Sequence, residues 1–319
     1  NSAIVPNKFG KRKIVLATSI AETSLTIQGI KIVVDSGFGR TSKFDPKTGL
    51  TRLETVAISK DSADQRAGRA GRLSAGVCYR MWSKATQENM RGHRVPEIME
   101  ADLTSLVLDM AEVGIIDIQQ LTWLTPPPKS AISQATELLH ELEALEHGRI
   151  TEQGRKMHRL PCHPRIAHLL LKAEETHLLA LATDLAAVLE ERDPLSRDAG
   201  IDINVRIETL RRQRSQQRIQ RNFARIEQVA STYRRLFNIE ADNDSHNPYD
   251  TGFLLTFAYP ERIACARPGN NAQFQLSNGA IAMAGHKDDL AHESWLAVAH
   301  LDARDGMGKI FLAAPLNPK

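Results

Sequence analysis

The sequence predicts a chain in three parts: an α/β segment, then a mostly α-helical region, then a small β domain. Three observations carry that order. Residues 13–17 (KIVLA) and 31–35 (KIVVD) are short apolar runs rich in β-branched residues and without period-2 alternation, the pattern of strands covered on both faces of a parallel sheet. From about residue 100 apolar residues recur at helical spacing, first at Leu103, Leu106, Val107 and Met110. Toward the C-terminus, Asn278-Gly279 separates the runs 273–276 and 280–283, a strong signal for a tight hairpin.

Taken in chain order, a third apolar run at 77–82 (VCYRMW) joins the first two and makes residues 1–90 one α/β unit, a fragment of a doubly wound domain. Between the second and third runs, Asp45-Pro46-Lys47-Thr48-Gly49 is a turn flanked by 41–44 and 50–53, so a β-hairpin is expected there. A second helical stripe (Ala135, Leu138, Leu139, Leu142, Leu145) follows Pro126-Pro127-Pro128, and Gly148 before Thr151-Glu152-Gln153-Gly154 reads as a helix stop and a new cap. These features define a module of winged-helix size over 91–156. A helical region over 157–240 ends in Ile219, Phe223, Ile226, Ala230, Tyr233 and Phe237, alternately four and three apart. An acidic, Asn-rich break (Glu240, Asp242, Asn243, Asp244, Asn247, Pro248) reads as a linker. With further strands at 295–301 and 309–313, residues 250–319 form a small barrel-type domain.

Composition narrows the function classes. Lys+Arg 41 against Asp+Glu 38 gives a net charge of +3 over 319 residues, which excludes a histone-like basic protein. No apolar stretch of about 18 residues and no signal-peptide pattern occurs, so a cytoplasmic protein without a membrane partner is expected. Three scattered cysteines (Cys78, Cys162, Cys265) predict reduced thiols. His158, Cys162, His163 and His168 are interrupted by Pro161 and Pro164 and lack a second ligand pair, so no metal site is expected. The chain opens on Asn1 in a basic run ahead of a strand pattern, which suggests that it begins inside a larger protein.

The densest chemical signal is residues 62–72 (SADQRAGRAGR). Arg66, Arg69 and Arg72 share one broad face if the segment is helical, and Ser62 with Gln65 matches a capping box that would start that helix. The guanidinium stays charged and its fork of donors suits phosphate oxygens. A solvated basic helix would read the same, but Gly68 and Gly71 fit it poorly, each costing about 1 kcal/mol relative to Ala. The second signal is residues 18–26 (TSIAETSLT), whose hydroxyls follow a strand's C-terminal end, where ligands of open α/β sheets bind; a polar helix cap is the alternative.

LATSIAETSLTI followed by QRAGRAGR resembles motifs V and VI of the DEAH/RHA group of superfamily 2 helicases, in that order and with a hairpin between. GIIDIQQLTWLTPPP, ALEHGRITEQGRKMHRLPCHPRIAHLLL and TGFLLTFAYPERIA resemble bacterial members, so the similarity runs through essentially the whole chain. The resemblance implies the C-terminal half of a second RecA-like domain with a partial parallel sheet, then a winged-helix module, a ratchet-like helical bundle and an OB-like barrel. It also implies an ATP-dependent RNA helicase moving 3′ to 5′. Gln65, Arg69 and Arg72 would act at the γ-phosphate of ATP with Mg²⁺, Arg69 and Arg72 being arginine fingers, with Gly68 alongside. Thr18 and Ser19 would touch the backbone of a single-stranded or 3′-overhang RNA, and Glu22 and Ser24 would couple RNA contact to nucleotide state.

Two departures and two absences qualify this. Ser19 stands where many members have Asn, and Ile4-Val5-Pro6 stands where eukaryotic members carry a Phe that stacks on adenine. Neither a G-x-x-x-x-G-K-[ST] loop nor an Asp-Glu dipeptide occurs, so hydrolysis is expected to need the first RecA-like domain of the same protein. Nine arginines between Arg206 and Arg235, with Arg211, Arg214 and Arg218 the candidates, either track nucleic-acid phosphates or form a solvated helix face. The competing function is a non-enzymatic winged-helix nucleic-acid-binding or regulatory protein.

Overall fold

The computed structural model describes residues 13–23, 29–45, 50–269, 272–304 and 307–317. The chain divides into two compact units, one of Asn1–Leu103 with Leu121–Ala131 and one of Thr104–Gln120 with Ile132–Lys319. Among the described residues no helix is long and apolar enough to cross a membrane.

In the first unit, β1 (Ile32–Asp35) pairs in parallel with β4 (Val77–Arg80), from Ile32 opposite Val77 to Asp35 opposite Arg80. Residues 13–17, expected as a buried strand, form none: Ile14 is 84% and Leu16 96% exposed. Two strands cannot bury both faces of a sheet, and Ile32, Val34, Val77 and Tyr79 are themselves exposed. Apolar β-branched composition records tolerance of burial; it does not supply the neighbour. The hairpin of β2 (Phe38–Asp45) and β3 (Leu50–Ala57) closes where turn chemistry put it, with Asp45 opposite Leu50, and its strands run longer than read.

After the short α1 (Ile20–Thr23), helix α2 (Lys60–Ala67) starts earlier than the capping-box reading: Ser59 is its N-cap, and Ser62 lies buried in the first turn. It stops at Gly68, so Arg69 and Arg72 sit in the turns beyond and only Arg66 of the three arginines is on the helix. Gly68, at the C-cap, ends the helix because it forfeits helical propensity. Ile58, Ala63 and Met90 form a small core with Trp82 against it, α3 (Lys84–Asn89) being capped by Ser83.

The second unit contains α4 (Thr104–Glu112) and most of α5 (Lys129–Glu141), then the hairpin β5 (Leu145–Glu146) and β6 (Arg149–Ile150). His147 and Gly148 both have positive φ (49° and 75°), so what reads in sequence as a helix stop is a two-residue hairpin turn. Thr151 caps α6 (Glu152–His158) by accepting from the Gly154 N–H, as its spacing predicts.

Helices α7 (Pro164–Glu175), α8 (Leu179–Glu190), α9 (Ile203–Ser215) and α10 (Ala224–Leu236) enclose a core that includes Leu169, Leu185, Ile207, Leu210, Phe223 and Ile226. The long apolar stripe read through 219–237 is broken: Ile219 precedes α10 and Phe223 occupies its N-cap position. Residues 248–258, placed partly in the β domain, form α11 (Pro248–Ala258), which packs on the bundle and the barrel alike. At Gly252 an added Cβ would lie 2.0 Å from the Pro315 carbonyl oxygen, so this helix needs glycine to approach its strand.

The barrel is closed by β7 (Ile263–Ala266), β8 (Gln273–Leu276), β9 (Ile281–Met283), β10 (Trp295–Arg304) and β11 (Met307–Pro315), in the order β10-β11-β9-β8-β7. β9 and β11 are parallel and the other neighbours antiparallel. Phe274, Leu276, Ala282, Val298 and Ile310 fill it.

His158, His163 and His168 each contact other groups of the fold. His158 faces Asp109 at 3.1 Å, His163 accepts from the Arg165 N–H at 3.2 Å, and His168 Nδ1 donates to the Phe257 carbonyl at 2.7 Å. Burial pushes the Cys162 thiol up to about 12, leaving it inert.

On β10, burial and the neighbouring Arg262 guanidinium hold the His300 imidazole down to about 4. Its folded pKa lies below the unfolded value, so the unfolded chain takes up the proton first as pH falls. Stability is therefore complete above about pH 6.5 and is lost between there and pH 4, by at most about 3 kcal/mol. Urea titrations across that range should show the decline, and His300→Gln should flatten it.

Candidate nucleotide and nucleic-acid site

The first unit carries an open cleft of about 430 Å³ beside β1, lined among others by Thr18, Ser19, Glu22, Arg66, Arg69 and Arg72. Five of the residues singled out in sequence therefore converge, although they lie up to fifty-odd positions apart. Thr18 is exposed and Ser19 half-buried ahead of α1; Arg69 is half-buried and Arg72 exposed beyond α2. Gln65 and Gly68 are exposed on the end of α2 and do not line the cleft. Ser24 and residues 4–6 lie outside the described residues.

At the cleft's inner wall two carboxylates are buried, Glu22 and Asp35. Arg66 Nη1 donates to Asp35 Oδ1 at 2.9 Å and to the Phe38 carbonyl at 3.0 Å, while its Nη2 lies 3.6 Å from Glu22 Oε2. Arg94 Nη2 donates to the same Glu22 oxygen at 3.0 Å. Arg69 makes a different contact: its Nε donates to the backbone carbonyl of Glu22 at 2.9 Å, and its Nη2 reaches the same oxygen. The first arginine of the QRAGRAGR run thus neutralises buried carboxylates, and the second is tied to Glu22, three residues past Ser19.

Arg66 was legible only as one arginine of the run, without its partners, and Asp35 and Arg94 were not singled out. Asp35 ends a strand and Arg66 lies inside the arginine run, so both carried a signal, but nothing local identifies their pairing across thirty-one positions. Arg94 has no such signal.

The Arg-rich segment of the second unit divides: Arg212, Arg218, Arg221, Arg225 and Arg235 are exposed, and the other four are not. Arg206, Arg211 and Arg234 are buried, and Arg214 nearly so. Asp184 on α8, itself 1% exposed, accepts from Arg211 Nε at 3.0 Å, from Arg214 Nη2 at 2.6 Å and from Arg234 Nη1 at 3.3 Å. Glu227 takes further bonds from Arg214 (2.8 Å) and Arg234 (2.5 Å), and Arg206 pairs with Asp193 at 2.9 Å. Arg211 and Arg214 are therefore neither a phosphate track nor a solvated face, because their donors are turned inward to acids on neighbouring elements. Arg218 and Arg221 are exposed where α9 gives way to α10.

Comparison with known proteins accords with this geometry. The family described as "helicase conserved C-terminal domain" matches residues 3–74, which include the cleft, and "helicase associated domain (HA2), winged-helix" matches residues 135–162. In sequence and fold the chain corresponds to the C-terminal region of DEAH/RHA-group helicases. The individual protein it resembles over 92% of its length is the ATP-dependent RNA helicase HrpB of Escherichia coli K12, at 40% identity over 295 residues. The crystal structure of E. coli DEAH/RHA helicase HrpB superposes with a TM-score of 0.83 at 35% identity, covering 100% of this chain and 38% of that one. The probable ATP-dependent RNA helicase DHR2 of Saccharomyces cerevisiae is 41% identical over 185 residues, 58% of this chain and 25% of DHR2. The chain spans about a third of the length of HrpB.

Removing one acid from the arginine cluster should show what it does. Asp184→Ala leaves three guanidinium groups without their shared buried partner and is expected to lower unfolding free energy by about 3–5 kcal/mol, measured by urea denaturation.

Proposed function

We propose that this chain is the C-terminal part of an ATP-dependent RNA helicase translocating 3′ to 5′, and that it supplies arginine fingers and part of the RNA channel. The observation that carries the reading is that Arg69 and Arg72 line the same cleft as Thr18 and Ser19, with Arg69 bonded to Glu22 between them. Phosphate contact and strand contact would then share one wall, so that a change at one is felt at the other.

The donor set suits a triphosphate: two guanidinium groups at an open cleft would oppose charge that builds on a transferring phosphoryl group, and Gln65, exposed on α2, is assigned to act with them. ATP with Mg²⁺ would supply the transferable phosphoryl group and its counter-charge. The printed sequence has no P-loop and no Asp-Glu pair, so these are assigned to a first RecA-like domain of the same protein, and this chain alone is expected not to hydrolyse ATP. Arg66 is assigned to holding the wall together, because Asp35 and Glu22 already take its donors.

In the second unit, RNA contact is assigned to the exposed Arg218 and Arg221, and the closed barrel with its parallel β9–β11 pair is read as an OB-type fold open to single strands.

In the complete protein, Arg69→Ala is expected to lower RNA-stimulated ATP turnover by about 10³-fold or more while RNA affinity stays within about twofold; unchanged turnover would remove the finger assignment. Replacing Arg218 and Arg221 together by Ala should reduce the slope of log affinity against log salt by about 1 to 2. An unchanged slope, measured by fluorescence anisotropy, would place RNA elsewhere.

A further inference from the structure

The loop after α3 makes contacts for which the proposed function gives no role. The carbonyls of Arg91 and Gly92 accept from the N–H groups of Lys60 (2.8 Å) and Asp61 (3.2 Å), closing the first turn of α2. His93 Nδ1 lies 3.3 Å from Asp61 Oδ2. Arg94 reaches further: its Nη2 donates to Glu22 Oε2 at 3.0 Å and stands 3.5 Å from Ser62 Oγ. Its side chain is 67% exposed, whereas that of Glu22 is 2% exposed. The loop thus grips both the helix that leads to Arg69 and the residue on which Arg69 rests.

Glu22 is held at both ends. Its carboxylate meets Arg66 and Arg94, and its backbone carbonyl receives the Arg69 guanidinium. The helix carrying it, α1, has four residues and no stability of its own, so its position depends on these contacts. The Glu22 Oε1 atom is buried without a hydrogen-bond partner, which leaves Oε2 as the handle, and the Arg66 contact to it is the longer at 3.6 Å. Losing Arg94 removes the nearer counter-charge from a buried carboxylate and frees α1 to shift, and the Glu22 carbonyl would move with it.

We propose that Arg94 is a positioning residue for Arg69: by holding the Glu22 carboxylate from outside the cleft, it fixes the carbonyl on which the Arg69 guanidinium is seated and so sets that guanidinium's approach to the γ-phosphate. This rests on the arginine-finger reading of Arg69. Arg94 does not line the cleft and is given no contact with nucleotide.

The test is steady-state ATP turnover with saturating RNA in the complete helicase, for Arg94→Ala, Arg94→Lys, Glu22→Gln and the Arg94→Ala/Glu22→Gln double variant, with Arg69→Ala as reference. A displacement of about 1 Å at a catalytic group can cost about 10²-fold, so Arg94→Ala is expected to lower kcat on the order of tenfold. The KM for ATP should stay within about twofold, the melting temperature should hold, and Arg94→Lys should recover most of the loss. The double variant should be no slower than the slower single one, because both act through one contact. Full turnover in Arg94→Ala, multiplicative losses in the double variant, or a loss that follows the melting temperature and is not rescued by Lys would each overturn the proposal. An inactive Arg69→Ala beside a fully active Arg94→Ala sinks the positioning role alone. A fully active Arg69→Ala sinks the finger reading, and the positioning role with it.

Discussion

A carboxylate taken out of water stays ionised only where cations are built around it, and both compact units are organised on that constraint. In the first unit Glu22 and Asp35 are buried at the base of a cleft and met by Arg66 and Arg94. In the second, Asp184 sits on a helix that is otherwise almost wholly buried and apolar, and three arginines from α9 and α10 converge on it. Each cluster fixes elements that sequence separation would leave independent. Truncating the acid would strand several charges at once, so the elements that carry them are tied to one another through it.

The two clusters differ in what remains after the carboxylates are neutralised. Around Asp184 the guanidinium donors point inward, while other arginines of the same segment, Arg218 and Arg221 among them, stay exposed. Around Glu22 the QRAGRAGR run divides its labour: Arg66 serves the wall, while Arg69 and Arg72 lie past the helix end on the cleft. Gly68 produces that division. By ending α2, it takes the second and third arginines off the helical face where a continued helix would have stacked them with the first.

Much of the fold was legible because its causes are local. Asn278-Gly279 specifies a hairpin by backbone preference, the acceptor of Thr151 caps a helix three residues ahead, and the β-branched run at 31–35 becomes a strand. What was not legible depends on partners. Residues 13–17 (KIVLA) open on the same Lys-Ile-Val as 31–35 (KIVVD), yet no ladder forms on them among the described residues. The fate of Arg211 and Arg214 depends on an aspartate roughly thirty positions upstream, and a charge run looks the same whether its counter-ions are phosphates, water or acids of the same chain. The motif resemblance pointed to residues that line the cleft, but could not say which of three equivalent arginines pairs with the buried carboxylates.

The glycine in α11 has a mechanical meaning. Because Gly252 has no side chain, the helix lies directly against the backbone of β11, and Arg262, stacked 4.2 Å over Tyr259, bonds the Ala299 carbonyl on β10 at 2.6 Å. Backbone seated on backbone leaves no side-chain rotamer at that point to take up a displacement. A displacement of β11 would therefore be passed to α11 through main chain, with no side chain between them to yield.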